Sequence, residues 1–246
     1  MSIRSPHAET AVQAAARRSA ELEAAIACHP ARFRVLTGDR PTGPLHVGHL
    51  FGTLENRVRL QELGVELLVL VADYQVLTDR ASARRLPDDV LGQVADYVAA
   101  GIDPARAAIF AHSQIEALNQ LLLPFLSLVS VAEVARNPTV KAEVASAGGA
   151  ATSALMFAYP VHQAADILFC HANLVPVGRD QLPHLELTRT IARRFNERYA
   201  PRAPFFPEPE ALLSPAPLLL GLDGARWARA PATRSRCARA PTRPRA

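Results

Sequence analysis

The run VELLVLVAD, residues 65–73, constrains the fold more than any other stretch of this chain. It is strand-length and almost wholly apolar, without the alternation of a strand that has one wet face. Such a run suits a parallel strand covered on both sides. A strand of that kind needs helices above and below its sheet, and the rest of the sequence supplies them. RFRVLTG (32–38), AAIFAHS (107–113) and LVPVG (174–178) read as further strands. Residues 8–27, 47–63, 87–100, 160–169 and 181–199 carry helical periodicity. Residues 115–136 read as a pair of apolar helical segments broken by Pro124, and 137–154 as a small, polar loop. Strands alternating with helices across short links predict an α/β chain with a doubly wound parallel sheet over residues 32–226. Residues 1–31 would add a peripheral helix, and 227–246 an irregular tail of Arg, Ala and Pro.

Composition removes several alternatives. The chain has 246 residues, 49% hydrophobic and 20% charged, the balance of a soluble globular protein. No apolar run approaches the roughly 18 residues of a membrane span, and the N-terminus lacks the apolar segment of a secretory signal. Three scattered cysteines form neither a disulfide framework nor a CxxC site, so a cytoplasmic protein is expected. The net charge of +4 suggests a nucleic-acid partner only at first sight. Residues 227–246 hold six arginines and no acid, more than the whole excess, so the body of the chain is mildly acidic.

The first strand-to-helix junction, RPTGPLHVGHLFG (40–52), carries the chemistry. It lacks the glycine pattern of a dinucleotide site and the lysine of a P-loop. Pro41 and Gly43 shape a turn, and Gly48 permits close backbone approach to a ligand. His46 and His49 fall three residues apart in the first helical turn, where the helix dipole favours an anion. Two imidazoles there suit phosphate oxygens that gain charge in a transition state. The plainer alternative is that one histidine caps or packs and the other is solvated.

TGDRPTGPLHVGHLFG resembles the His-Ile-Gly-His signature of the class I aminoacyl-tRNA synthetases, in the form seen in tryptophan enzymes. The same motif occurs in related nucleotidyltransferases, so alone it implies only attack on a nucleotide α-phosphate. The block from Tyr159 to Tyr199 is similar to the amino-acid pocket of the tryptophan–tRNA ligases. A carboxylate at Asp166, on an otherwise apolar helix face, is costly unless it has a partner. The resemblance implies that the partner is the indole N–H of tryptophan; the alternative is an ion pair with a neighbouring arginine.

The resemblance implies a Rossmann-like parallel sheet, with a helical dimerisation insertion near 115–155. It assigns His46 and His49 to catalysis. Arg40, Pro41, Thr42, Gly48, His49, Gly178, Arg179, Asp180, Leu218 and Lys141 would bind ATP with its Mg2+. Asp166, Gln163, Gln181 and Tyr159 would bind tryptophan. Implied partners are tRNA(Trp), L-tryptophan, ATP and a second copy of the chain. Asp39-Arg40 stands where many bacterial relatives have Ile-Gln. Gln75 replaces a histidine of several relatives, and Gln163 a methionine. LLLGLDGAR (218–226) is how the family approaches its Lys-Met-Ser-Lys-Ser loop; WARAPATRSR at 227–236 does not match that loop, and the anticodon-binding domain is expected to be absent. A neighbouring reading frame of WARAPATRSR is compatible with such a loop, so the tail is expected to be out of frame. Three other readings stay open: a truncated pseudoenzyme that binds tryptophan or ATP or partners a full-length subunit, a tyrosine–tRNA ligase, and a related nucleotidyltransferase.

Overall fold

The computed structural model describes residues 11–78, 85–138, 140–141 and 153–213. Five strands, β1 (Arg34–Asp39), β2 (Glu66–Val71), β3 (Ala107–Ala111), β4 (Leu174–Val177) and β5 (Glu210–Leu213), form one sheet in the order β3-β2-β1-β4-β5. Every neighbouring pair is parallel. β2 lies between β1 and β3, in register from Arg34↔Glu66 to Asp39↔Val71 and from Leu67↔Ala107 to Val71↔Ala111. This central place is why its sequence does not alternate. Leu67, Val69 and Val71 enter the core on one face, whereas Leu70 enters a separate core on the other. Strand geometry sends successive side chains to opposite faces, and here both faces are dry.

The first face is covered by α1 (Ala11–Cys28), α3 (Glu55–Leu63) and α4 (Leu86–Ala99), which contribute Leu22, Ile26, Leu60 and Tyr97. The second is covered by α8 (Ala154–Phe169) and α9 (Leu182–Tyr199) through Ile167 and Leu185. The short helices α5 (Glu116–Gln120), α6 (Leu122–Leu126) and α7 (Val131–Arg136) lie outside α8. Phe125 and Val134 join Val161, Leu168, Ile191 and Phe206 there in a smaller core.

Several local details differ from the expectations. α1 is not peripheral: Leu22 and Ile26 are buried in the main core, and Ser19 Oγ accepts from Leu213 N at 2.9 Å, tying the helix to β5. β5 itself was not foreseen; Glu-Ala-Leu-Leu has no strand signature, and pairing with β4 makes it a strand. Pro124 does not break a helix but sits in the first turn of α6, where the missing N–H has no intrahelical partner to lose. The breaks fall instead at Leu121, between α5 and α6, and at Ser127–Ser130, where Ser130 caps α7 and Glu133 reaches back in a capping box. Pro160 lies inside α8 rather than at its start. The helix expected over 47–63 is continuous but mixed: α2 (Val47–His49), a π-helical turn (Leu50–Leu54), then α3. No described helix is long and apolar enough to cross a membrane.

Candidate active site

β1 has β2 on one side and β4 on the other, so the chain reverses its winding direction beside β1. Open α/β sheets bind ligands beyond the carboxyl ends of the strands at such a point. A cleft of about 380 Å3 opens there, lined by residues 38–40, Thr42, His49, Ala72, Gln75, Tyr159, Gln163, Gln181 and His184. A deeper lobe of about 230 Å3 shares Gly38, Asp39, Gln75, Gln163 and Gln181 with it and adds Gly178 and Asp166. The two sequence blocks, more than a hundred residues apart, therefore meet in one space.

The geometry of the first block follows from tight backbone. A Cβ on Gly38 would lie 2.3 Å from the carbonyl oxygen of Leu70, so only glycine lets β1 run this close to β2. Gly43 has φ of 113°, which turns the chain toward α2. His46 then caps α2: its Nδ1 accepts from Gly48 N at 3.2 Å, and His49 Nδ1 accepts from His46 N at 3.3 Å. Because both Nδ1 atoms accept, the neutral rings carry their protons on Nε2. The rings stand 4.0 Å apart. His49 lines the cleft, whereas His46 is buried behind it. Capping and ligand-facing are thus combined in one pair rather than being alternatives.

Under this junction lies a network invisible in the sequence. Asp39 Oδ2 accepts from Arg57 Nη1 at 2.6 Å and from the Tyr97 hydroxyl at 2.8 Å. Gln93 Nε2 donates to the Asp39 carbonyl at 3.2 Å. Arg57 is 2% exposed. Burial alone would push the Asp39 carboxyl up, but the Arg57 guanidinium holds it below the ordinary carboxylate range. Burial, with Asp39 beside it, pushes the Tyr97 phenol well above its usual value.

Asp166 is 1% exposed, and the nitrogen beside it is not an arginine's: His112 Nε2 lies 2.9 Å from Oδ1. His112, His162 and Asp166 each offer a ligand-type atom within 4.8 Å of the others, the one such group among the described residues. His162 Nε2 meets Asn119 Oδ1 at 2.9 Å. The Asn119 amide nitrogen donates to the carbonyls of His112 and Ile115, so its oxygen accepts and the proton sits on His162 Nε2. Burial holds the His162 pKa below its usual value. On the opposite wall Gln163 Nε2 donates to Gln181 Oε1 at 3.5 Å. His184, which no motif singles out, joins Tyr159 Oη at 3.3 Å and Asn137 Nδ2 at 3.4 Å, and burial pushes its pKa down to about 4.

The other expected site residues lie around these walls. Pro41 is buried in the turn, and Gly48 belongs to the cap. Arg179 and Asp180 are exposed beside the deeper lobe, Asp180 accepting from Gln181 Nε2 at 3.0 Å. Lys141 is exposed and does not line the cleft. Leu218, the rest of the 142–152 loop and the tail after 213 lie outside the described residues.

A parallel sheet with a switch-point cleft and a His-x-Gly-His helix cap defines an α/β domain of the class I synthetase type. A family model described as class I tRNA synthetases (W and Y) matches residues 29–227, and the chain belongs to that family. It is 47% identical over 196 residues to a tryptophan–tRNA ligase of Streptococcus pyogenes, a match covering 77% of this chain and 57% of that one. It is similar to the solved tryptophanyl-tRNA synthetase of Campylobacter jejuni complexed with ADP and tryptophan (TM-score 0.73, 31% identity, covering 80% of this chain and 60% of that one). It shares its fold with the tyrosyl-tRNA synthetase of Archaeoglobus fulgidus (TM-score 0.68, 22% identity, covering 87% and 63%). The chain thus spans 57% of the length of the streptococcal ligase.

Proposed function

We propose that this site activates L-tryptophan with ATP, whose magnesium arrives with the nucleotide as part of the substrate, and charges tRNA(Trp) in the cytoplasm. A carboxylate oxygen of tryptophan attacks the α-phosphorus. The bond to the bridging oxygen breaks, and pyrophosphate leaves with its electron pair. The terminal adenosine hydroxyl of the tRNA then attacks the adenylate carbonyl and releases AMP. Positioning and charge stabilisation dominate such a transfer.

His49 faces the α-phosphate with its Nε2–H, and His46 supports it from behind while adding a second donor. Arg40, Pro41, Thr42 and Gly48 bound the phosphate end. Gly178, Arg179 and Asp180 take the ribose, and Lys141 and Leu218 are assigned to ATP as well. Asp166 accepts the indole N–H, with Tyr159, Gln163 and Gln181 around the amino acid. Helices of the 115–155 region join two copies.

One observation carries this reading: in a chain of this family, the cleft lined by His49 shares Gly38, Asp39, Gln163 and Gln181 with the lobe lined by the buried carboxylate of Asp166. The test is tryptophan-dependent exchange of pyrophosphate into ATP, with Asp166→Ala alongside. That variant is expected to lower tryptophan affinity far more than ATP affinity. Equal losses, or none, would sink the assignment of Asp166.

A further inference from the structure

Resting on that reading, we propose that His112 is the positioning residue for Asp166: its ring packs against one carboxylate oxygen, fixes the orientation of the carboxylate, and so sets the selectivity of the pocket. His112 follows β3 in a short 3-10 turn, His112–Gln114, and its side chain is fully buried. The residue is held from several sides, through its backbone and around its ring. Asn119 Nδ2 donates to its carbonyl at 2.8 Å. The rings of Tyr74 and His162 flank it at centroid distances of 6.0 and 4.6 Å. Its Nδ1 lies 3.6 Å from Asp73 Oδ1, an oxygen itself anchored by the backbone N–H of Tyr74 at 3.0 Å and of Ser113 at 3.3 Å. A ring clamped in this way presents Nε2 at one place, 2.9 Å from Asp166 Oδ1.

The contact is close but poorly directed, since neither His112 nitrogen nor Asp166 Oδ1 completes a hydrogen bond. It therefore acts as a steric and dipolar constraint on Oδ1. Asp166 also lines the deeper lobe, so Oδ2 is the oxygen left for a ligand. A carboxylate free to turn would offer either oxygen in a range of directions. One held by His112 offers a single acceptor, and a ligand without a donor there leaves that acceptor unpaired and buried. Selectivity of this kind comes from the penalty on the wrong ligand more than from the gain on the right one.

The experiment measures binding of tryptophan and of 3-benzothienylalanine, in which sulfur replaces the ring N–H at nearly the same shape. Calorimetry on the 246-residue chain would compare the unmutated protein with His112→Asn and His112→Gln. The unmutated chain is expected to prefer tryptophan by at least ~10-fold. Asparagine is too short to reach Asp166, and the preference should collapse. Glutamine carries an N–H2 close to the position of Nε2, and the preference should persist. If His112→Asn does not fold, His112→Met, which fills the ring's space without a donor, takes its place. Equal weakening of both ligands with the preference intact would reduce His112 to packing and overturn the proposal. An unmutated chain without any preference would instead overturn the indole reading of Asp166. A stoichiometric metal ion, removed by EDTA together with the preference, would assign the three side chains to that ion and also overturn the positioning role.

Discussion

Arg57 gives the sharpest stability prediction. Its guanidinium is 2% exposed and contacts Asp39 Oδ2 at 2.6 Å, with Tyr97 as the second donor at 2.8 Å. Replacing it with methionine keeps most of the apolar stem but leaves a buried carboxylate facing one neutral hydroxyl. Removing one partner of a buried pair costs about 3–5 kcal/mol. The Asp39 side chain is 17% exposed toward the cleft, which admits some water, so the lower end, about 3 kcal/mol, is expected. Urea denaturation at pH 7 measures it as a shift in midpoint at unchanged slope. The sign with pH follows from the depressed folded-state pKa of Asp39. The stability it contributes is present above the unfolded carboxylate value near 3.9 and is lost as pH falls below it. In Arg57→Met the carboxyl loses its cation and relieves its own penalty by taking a proton as pH falls toward 4. The penalty should therefore shrink between pH 7 and 4, and Asp39→Asn added to Arg57→Met should recover part of it. A penalty below about 1 kcal/mol, or one independent of pH, would refute the argument that this pair is a coupled buried unit.

Gly38→Ala places a methyl 2.3 Å from the Leu70 carbonyl oxygen and should destabilise by about 1–3 kcal/mol, read as a lower Tm; an unchanged Tm would mean that β1 and β2 are not packed this closely. His184, with its pKa pushed down to about 4 by burial, is neutral when folded at pH 5–6, whereas the unfolded chain binds a proton there. Stability should thus fall as pH drops from about 6.5 toward 4, and His184→Gln should flatten that slope. An imidazole NMR titration of His184 centred near 6.5 would contradict this.

How much was legible in advance depends on whether the information was local. β2 announced a central parallel strand because both of its faces are buried, and every such face must be apolar. The His46–His49 cap was legible because both partners lie within four residues. Asp166 was legible as a buried carboxylate, but its neighbour within the chain was not: His112 follows β3, 54 residues earlier, and no spacing rule connects them. The Asp39–Arg57–Tyr97 network failed for the same reason, being assembled by the packing of α3 and α4 on the sheet. Pro124 misled because a proline was read as a break when its position in a first turn makes it compatible with a helix. β5 exists only through its register with β4 and the cover of α1.

The central claim is that the cleft reads an indole. Titrating the unmutated chain with L-tryptophan and, separately, with L-tyrosine tests it most directly. The account predicts saturable one-to-one binding of tryptophan, with tyrosine binding far more weakly because its smaller ring carries its O–H donor at the para position, away from where the indole places its N–H. Binding of tyrosine as strong as that of tryptophan, or no binding of tryptophan at all, would contradict it.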